Sequence, residues 1–206
     1  MSTTFGLCNY AAQKMLGELL GGTAFSAPAT IYFGLIGPNK GKWTATTAYT
    51  TSDYVIPTTA NGRLYKCTTA GTSAGSEPTW PTTVGGTVSD GSAVWTEQTV
   101  AFDAGTAPEV TGGSYARGSL TNNTTNFPTP SLVAQLEQVQ NAVAVSNFPT
   151  PSGNWGTNGW ISHVMLFDAL TVGNPLMYWD LTTPVQVTSS ATPFSIPING
   201  MTVGLG

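Results

Sequence analysis

The chain has 206 residues, enough for one large domain or two small ones with a sizeable core. Only 8% of them are charged, the net charge is −4, and the six basic residues (Lys14, Lys40, Lys42, Arg63, Lys66 and Arg117) form no stripe that could displace counterions from phosphates, which excludes a nucleic-acid binder. No apolar run approaches ~20 residues and no charged segment leads into an apolar one at the N-terminus, so neither a membrane span nor a secretory signal is expected. The polar surface must come from threonine, serine, asparagine and glycine.

Leu7, Ala11, Met15, Leu16, Leu19 and Leu20 recur at helical spacing and predict a helix over 5–21, its apolar stripe packed on the protein's own sheet. Gly21-Gly22 stops it, because glycine accepts the left-handed conformation past a helix end. After Pro28 the period becomes two: Ile31, Phe33 and Leu35 alternate with Tyr32, Gly34 and Ile36, as in a strand buried on at least one face.

Residues 41–98 have a different texture. Trp43, Tyr49, Tyr54, Tyr65, Trp80 and Trp95 stand among few aliphatics, so aromatic rings must supply most of any core. A small three-stranded sheet is expected here, with strands near 53–56, 63–69 and 93–97. In so small a unit Trp80 and Trp95 are expected inside. Trp43 and Tyr49, near the start of the segment, are expected nearer the surface.

From Glu109 onward the strand pattern returns. Gly112-Gly113 forms a turn ahead of Tyr115 and Arg117. Arg117 reads either as an inter-subunit salt bridge, to Asp168 or Asp180, or as a surface charge blunting a strand edge. Asn126-Phe127-Pro128-Thr129-Pro130-Ser131 recurs as Asn147-Phe148-Pro149-Thr150-Pro151-Ser152, and the prolines make both copies extended edges or loops. Between the copies, Leu132, Val133, Leu136 and Val139 behind Ser131 suggest a short helix. Strand-like runs follow at 141–148, 160–168, 176–182, 184–189, 193–198 and 201–205. Turn signals at Asn158-Gly159, Gly173-Asn174-Pro175 and Asn199-Gly200 separate several of them. Many short strands with such punctuation predict a mainly β fold: an antiparallel β-sandwich, jelly-roll-like, with one N-terminal α-helix and a small inserted β module.

Chemistry is sparse. Cys8 and Cys67 belong to no C-x-x-C pair, and one histidine completes no zinc set, so two buried thiols are expected rather than a metal site or a disulfide. His163 alternates with Ser162 and Val164 on a strand, which makes it a pattern residue; no nucleophile-elbow glycines and no phosphate loop are present. Asp53, Glu77, Asp90, Glu97, Asp103 and Glu109 could supply a glycosidase pair, but nothing in their spacing selects one.

The stretch Glu109-Val110-Thr111-Gly112-Gly113-Ser114-Tyr115-Ala116-Arg117, with Trp160–Asp168 and Tyr178-Trp179-Asp180-Leu181-Thr182-Thr183-Pro184, resembles a family of small virion structural proteins of tailed bacteriophages, labelled tail-fibre or head-decoration proteins. The resemblance covers about 5–36 and 109–206; the departures are the 41–98 insertion and the extra residues 131–140. It implies a discontinuous shell, 1–40 and 99–206, interrupted by a 41–98 domain. It further implies a non-enzymatic virion protein, without cofactor or metal, that docks on other virion proteins and self-associates, a trimer being the favoured form, with Arg117 and Tyr115 at the subunit interface. The 41–98 segment also resembles phage-borne aromatic modules and, in ring spacing, chitin-binding ones. On that resemblance it is a carbohydrate-binding adhesin module for host surface glycans, with Trp43, Tyr49, Tyr54 and Trp80 as contact rings.

Overall fold

The period-two pattern after Pro28 does become a strand, and that strand lies inside the largest sheet of the molecule. The computed structural model describes residues 5–133, 136–189 and 193–205. In chain order its elements are β1 (Phe5–Leu7), α1 (Asn9–Leu20), β2 (Thr30–Ile36), β3 (Ala48–Tyr49), β4 (Tyr54–Val55), β5 (Tyr65–Thr69), β6 (Gly71–Thr72), β7 (Thr87–Asp90), β8 (Ala93–Glu97), α2 (Thr99–Asp103), β9 (Gly118–Thr121), β10 (Ser131–Val133), β11 (Leu136–Gln140), β12 (Trp160–Phe167), β13 (Pro175–Gln186) and β14 (Thr202–Leu205). The fold is mainly β, and every pairing between these strands is antiparallel.

The central sheet has the order β1-β13-β12-β2-β9. Register sorts its side chains onto two faces. Val164, Trp179 and Leu35 are cross-strand partners on one face; Met165, Tyr178 and Gly34 are partners on the other. The first face joins a cluster with Val110, Val145, Phe148, Trp155, Val187, Ile196 and Met201. The second joins Cys8, Ile56, Leu64 and Phe102. Both faces are covered, in a sandwich-like arrangement, so β12 is buried along nearly its whole length and reads as a continuous apolar run.

The smaller sheets are β10-β11-β14, β3-β6 and β4-β5-β8-β7. Among the described residues, strands β3 to β8 pair only with one another. Ile56 and Leu64 nevertheless reach the second face of the central sheet, which seats the segment against it.

Several local expectations change. The helix starts at Asn9 rather than residue 5, because Phe5–Leu7 pair with Met177–Trp179. Its stop is as expected: Gly22 takes φ +62°. Its stripe is not. Ala11 is buried, but Met15, Leu16, Leu19 and Leu20 are exposed, since only the first turns of α1 rest on the body of the protein. In place of a short helix over 131–140 there is the hairpin β10–β11, with β14 adding to β11 (residues 134 and 135 lie outside the described residues). The 141–148 and 193–198 runs meet in a single bridge, Val145 with Ile196, because the prolines around them leave too few ladder donors. β7 and the short helix α2 were not foreseen.

The repeated hexapeptide acquires a common role. Asn147 accepts from Ser119 N through Oδ1 (2.9 Å) and donates from Nδ2 to Ser119 O (3.1 Å); Asn126 Nδ2 donates to Thr121 O (2.8 Å). Both first residues of the repeat therefore close the outer edge of β9 with side-chain amides, which act as a substitute strand.

Candidate functional site

Arg117 is one of two arginines in the chain, and the structure places it inside. The Gly112-Gly113-Ser114 turn has three successive positive φ angles (80°, 56° and 66°) and returns the chain so that Tyr115 and Arg117 face Glu109. A Cβ at Gly113 would meet Gly153 O at 2.5 Å, and Trp155 Nε1 donates to Gly113 O at 2.9 Å, so the turn is fixed from outside. Arg117 binds Glu109 through two parallel bonds, Nε to Oε1 (2.8 Å) and Nη2 to Oε2 (2.7 Å). Its Nη1 donates to Ala169 O (2.7 Å) and Val172 O (2.9 Å), and its Cζ lies 3.4 Å from the Phe167 ring centroid. Tyr115 donates its hydroxyl to Glu109 Oε1 (2.8 Å) and accepts from Leu35 N (2.9 Å), extending the β2 ladder beyond the end of β9. Burial and the adjacent Glu109 carboxylate raise the Tyr115 pKa, so it stays a donor. Gly34 leaves the space that Phe167 and Glu109 fill.

These contacts give both residues a role within the subunit. Arg117 is not a surface charge on a strand edge; it is buried and clasps its own subunit, where a buried guanidinium needs acceptors on every side. Asp168 instead accepts from Asn174 N (2.6 Å) and Nδ2 (2.7 Å), closing the loop that Arg117 holds. That loop presents Leu170 and Val172 to solvent, Val172 at φ +57°.

In the 41–98 segment the rings are organised by a carboxylate. Asp90 is buried in the β7–β8 hairpin. Its Oδ2 accepts from Trp43 Nε1 (2.7 Å) and Trp95 Nε1 (2.9 Å), and its Oδ1 from Ala74 N (2.8 Å). Tyr49 packs edge-on to Trp95, with centroids 4.7 Å apart. Trp43 (7% exposed) and Tyr49 (3%) are thus core residues and not surface rings. The reason is size: a unit with so few aliphatics must use its first aromatics inside. Trp95 is buried as expected, whereas Trp80 is half-buried, lying outside Tyr65 at 4.4 Å with its Nε1 bonded to Glu77 (2.8 Å). Tyr54, also half-buried, belongs to the cluster against the central sheet. The four rings expected to form one glycan platform are therefore split between two clusters.

The other carboxylates of this segment are also engaged. Glu97 accepts from Arg63 Nη1 (2.8 Å) and Gly85 N (3.0 Å); Asp53 accepts from Thr50 N (2.7 Å). Burial opposes ionisation of Glu77, but bonds from Thr58 and Trp80 outweigh it and hold its carboxyl below the usual range. Sequence reasoning named these acids only as possible hydrolytic pairs. For Asp90 and Glu77 the signal was an indole N–H, which needs an acceptor when the ring packs into a core.

His163 sits between the two regions. Nε2 donates to Gly62 O (3.1 Å) and Nδ1 accepts from the Ser162 hydroxyl (2.9 Å), with the Phe102 ring centroid 4.4 Å away. Burial lowers its pKa to about 4, against the pull of the Gly62 carbonyl and Asp180. Ser162, His163 and Asp180 are all buried. Cys8 and Cys67 are buried and free; burial and nearby Asp103 push the Cys8 thiol up to about 12. Among the described residues no group of acidic, histidine and cysteine side chains is placed to hold a metal.

No curated protein matches the chain. Residues 92–204, more than half of it, match the model of a family described as podophage GP4 fiber I protein gp80. The match begins in the β7–β8 turn, runs through the Arg117 clasp and β9 to β13, and ends in β14. It supports the phage structural resemblance on the fibre side and leaves residues 1–91 outside. The chain belongs to the podophage GP4 fibre I protein gp80 family, and is a phage fibre-like structural protein of the virion.

Proposed function

We propose that this chain is a non-enzymatic fibre component that docks on another virion protein through its shell, 1–40 and 99–206, and carries the 41–98 domain as an added module. The family match carries this reading, because it spans the shell strands from β9 to β14. The internal use of the chemical groups supports it: Glu109, Asp90, Glu97 and His163 are each bonded to protein partners that hold the fold. Homo-oligomerisation, with a trimer favoured, belongs to the same reading; its contacts lie away from the outer edge of β9, which Asn147 and Asn126 already close. No observation favours glycan contact by Trp43 or Tyr49. Cryo-electron microscopy of intact particles tests the proposal: density for this fold is expected in a fibre, and absence of the chain from purified particles by mass spectrometry would end it.

A further inference from the structure

A cleft of about 280 Å³ opens where the turn after β2, residues 108–111 and the run into β12 meet. Val110 and Trp155 are buried at its floor, Thr111 and Thr157 are exposed at its mouth, and Trp160 and Glu109 line it as well. Four of the six tryptophans are buried, Trp43, Trp95, Trp155 and Trp179; Trp80 and Trp160 keep part of the ring in solvent. Trp80 gives its N–H to Glu77, but Trp160 Nε1 has no protein acceptor among the described residues. The Trp160 ring is nevertheless fixed. A Cβ at Gly37 would meet Trp160 O at 1.9 Å and one at Gly41 would meet Trp160 Cδ1 at 2.8 Å, so glycine is what lets these segments come so close. Asn158 accepts from Trp160 N (3.3 Å) and donates to Asn39 O (3.0 Å), and Lys42 Nζ lies over the ring, 5.3 Å from its centroid. Glu109 is equally fixed but not saturated. Its Oε1 accepts from Tyr115 and Arg117, its Oε2 from Arg117 Nη2, and its side chain is 24% exposed. Among the described residues Oε2 thus keeps one acceptor site, while Arg117 offsets its charge.

We propose that this cleft binds one neutral pyranose unit of a glycan. It lies in the shell and uses none of the rings of the 41–98 segment. A half-exposed indole offers a flat apolar surface to the C–H face of a sugar ring. Its N–H, the Glu109 Oε2 acceptor site and the hydroxyls of Thr111 and Thr157 suit sugar hydroxyls, which donate and accept in turn. Size selects a single ring, because the volume falls just below the ~300–1,000 Å³ of sites for drug-sized ligands. Charge selects a neutral ligand: Glu109 is offset by Arg117, and Lys42 already donates to Thr58 O (3.0 Å). A nucleotide could stack on the same indole, but its phosphate is disfavoured beside the Glu109 carboxylate. The fixed ring and carboxylate lower the ordering cost of binding, which is what a small ligand with few contacts needs.

The test titrates the purified full-length chain with the methyl glycosides of glucose, galactose, mannose and N-acetylglucosamine, read by saturation-transfer NMR, with AMP as a charged, stacking comparison. Wild type is compared with Trp160→Leu, with Thr157→Arg, which blocks the exposed mouth without entering the core, and with Trp80→Leu. Melting temperatures check that each variant folds. At least one glycoside is expected to bind in the millimolar range. Trp160→Leu is expected to weaken it roughly tenfold, the worth of a good ring contact. Thr157→Arg should abolish binding and Trp80→Leu leave it unchanged. No saturation of any of the glycosides overturns the proposal, as does binding of AMP alone. Binding that survives Thr157→Arg overturns it too, and a loss with Trp80→Leu alone moves the sugar to the 41–98 segment. Because Thr157 is exposed, its variant decides the matter even where Trp160→Leu fails to fold.

Discussion

In the central sheet β12 and β13 run eight and twelve residues and are paired along most of their length; in the 41–98 segment no strand exceeds five residues. The two regions satisfy their buried polar groups accordingly. Long ladders do it for the sheet, and the side-chain clasp of Arg117, Glu109 and Tyr115 is needed where the ladder beside β2 runs out at Leu35. The short strands leave indole and loop N–H groups that no ladder reaches, and Asp90, Glu97, Glu77 and Asp53 take them up. A small β unit can thus be built around acidic side chains where a larger one uses backbone, because a single carboxyl group accepts several bonds.

The sharpest way to break this comparison is Asp90→Ala. It strands the N–H groups of Trp43, Trp95 and Ala74, and at ~1–3 kcal/mol for each unsatisfied buried donor a loss of about 4 kcal/mol is expected. Thermal unfolding followed by tryptophan fluorescence reads it; a loss under about 1 kcal/mol would show that ring packing alone holds the segment. Arg117→Ala comes next, at about 3 kcal/mol, since it leaves Glu109 partly buried without its partner and frees two carbonyls of the 168–174 loop. Arg117→Lys should recover less than half of this in denaturant melts, because an ammonium cannot make the parallel pair.

Acid probes the seam between the regions. His163 is neutral when folded, with its pKa lowered from 6.5 to about 4, so the unfolded chain binds more protons in that window. Stability should therefore be complete above pH 6.5 and fall by about 3 kcal/mol as the pH drops to 4, at ~1.4 kcal/mol per pH unit. Comparing denaturation midpoints of the wild type with those of His163→Gln isolates this contribution; identical pH slopes in the two proteins would remove it. The smallest effect is expected at Val172. A β-branched residue at φ +57° is strained, so Val172→Gly should raise stability by about 0.5–1 kcal/mol after its chain-entropy cost. A fall instead would mean that the Val172 side chain makes contacts the strain argument ignores.

Legibility differed in the same way between regions. Ile31–Ile36, Trp160–Phe167 and the Tyr178–Asp180 run were readable because alternation or an unbroken apolar run is a local signal. Gly21-Gly22 and Asn158-Gly159 were readable because positive φ is a property of residue type, and Gly22 and Gly159 both adopt it. The 131–140 segment was misread as a helix, since short apolar spacing suits either period. The candidate site was legible as residues and not as partners: Arg117 and Tyr115 stood out, but Glu109 as their acceptor depended on how the Gly112–Ser114 turn folds back. Trp43 and Tyr49 were visible as rings, while their side of the surface was not.

The residues alone settle the mainly β character, the glycine stops, the low charge and the buried thiols, because each depends on composition or on neighbours within a few positions. Which surface each side chain joins was decided by tertiary structure. α1 has the stripe of a packed helix, and only its start finds anything to pack on; the hexapeptide repeat is a coincidence of sequence until both copies meet β9. Burial and pairing are properties of places in space, and a chain with so few charges marks very few of those places in advance.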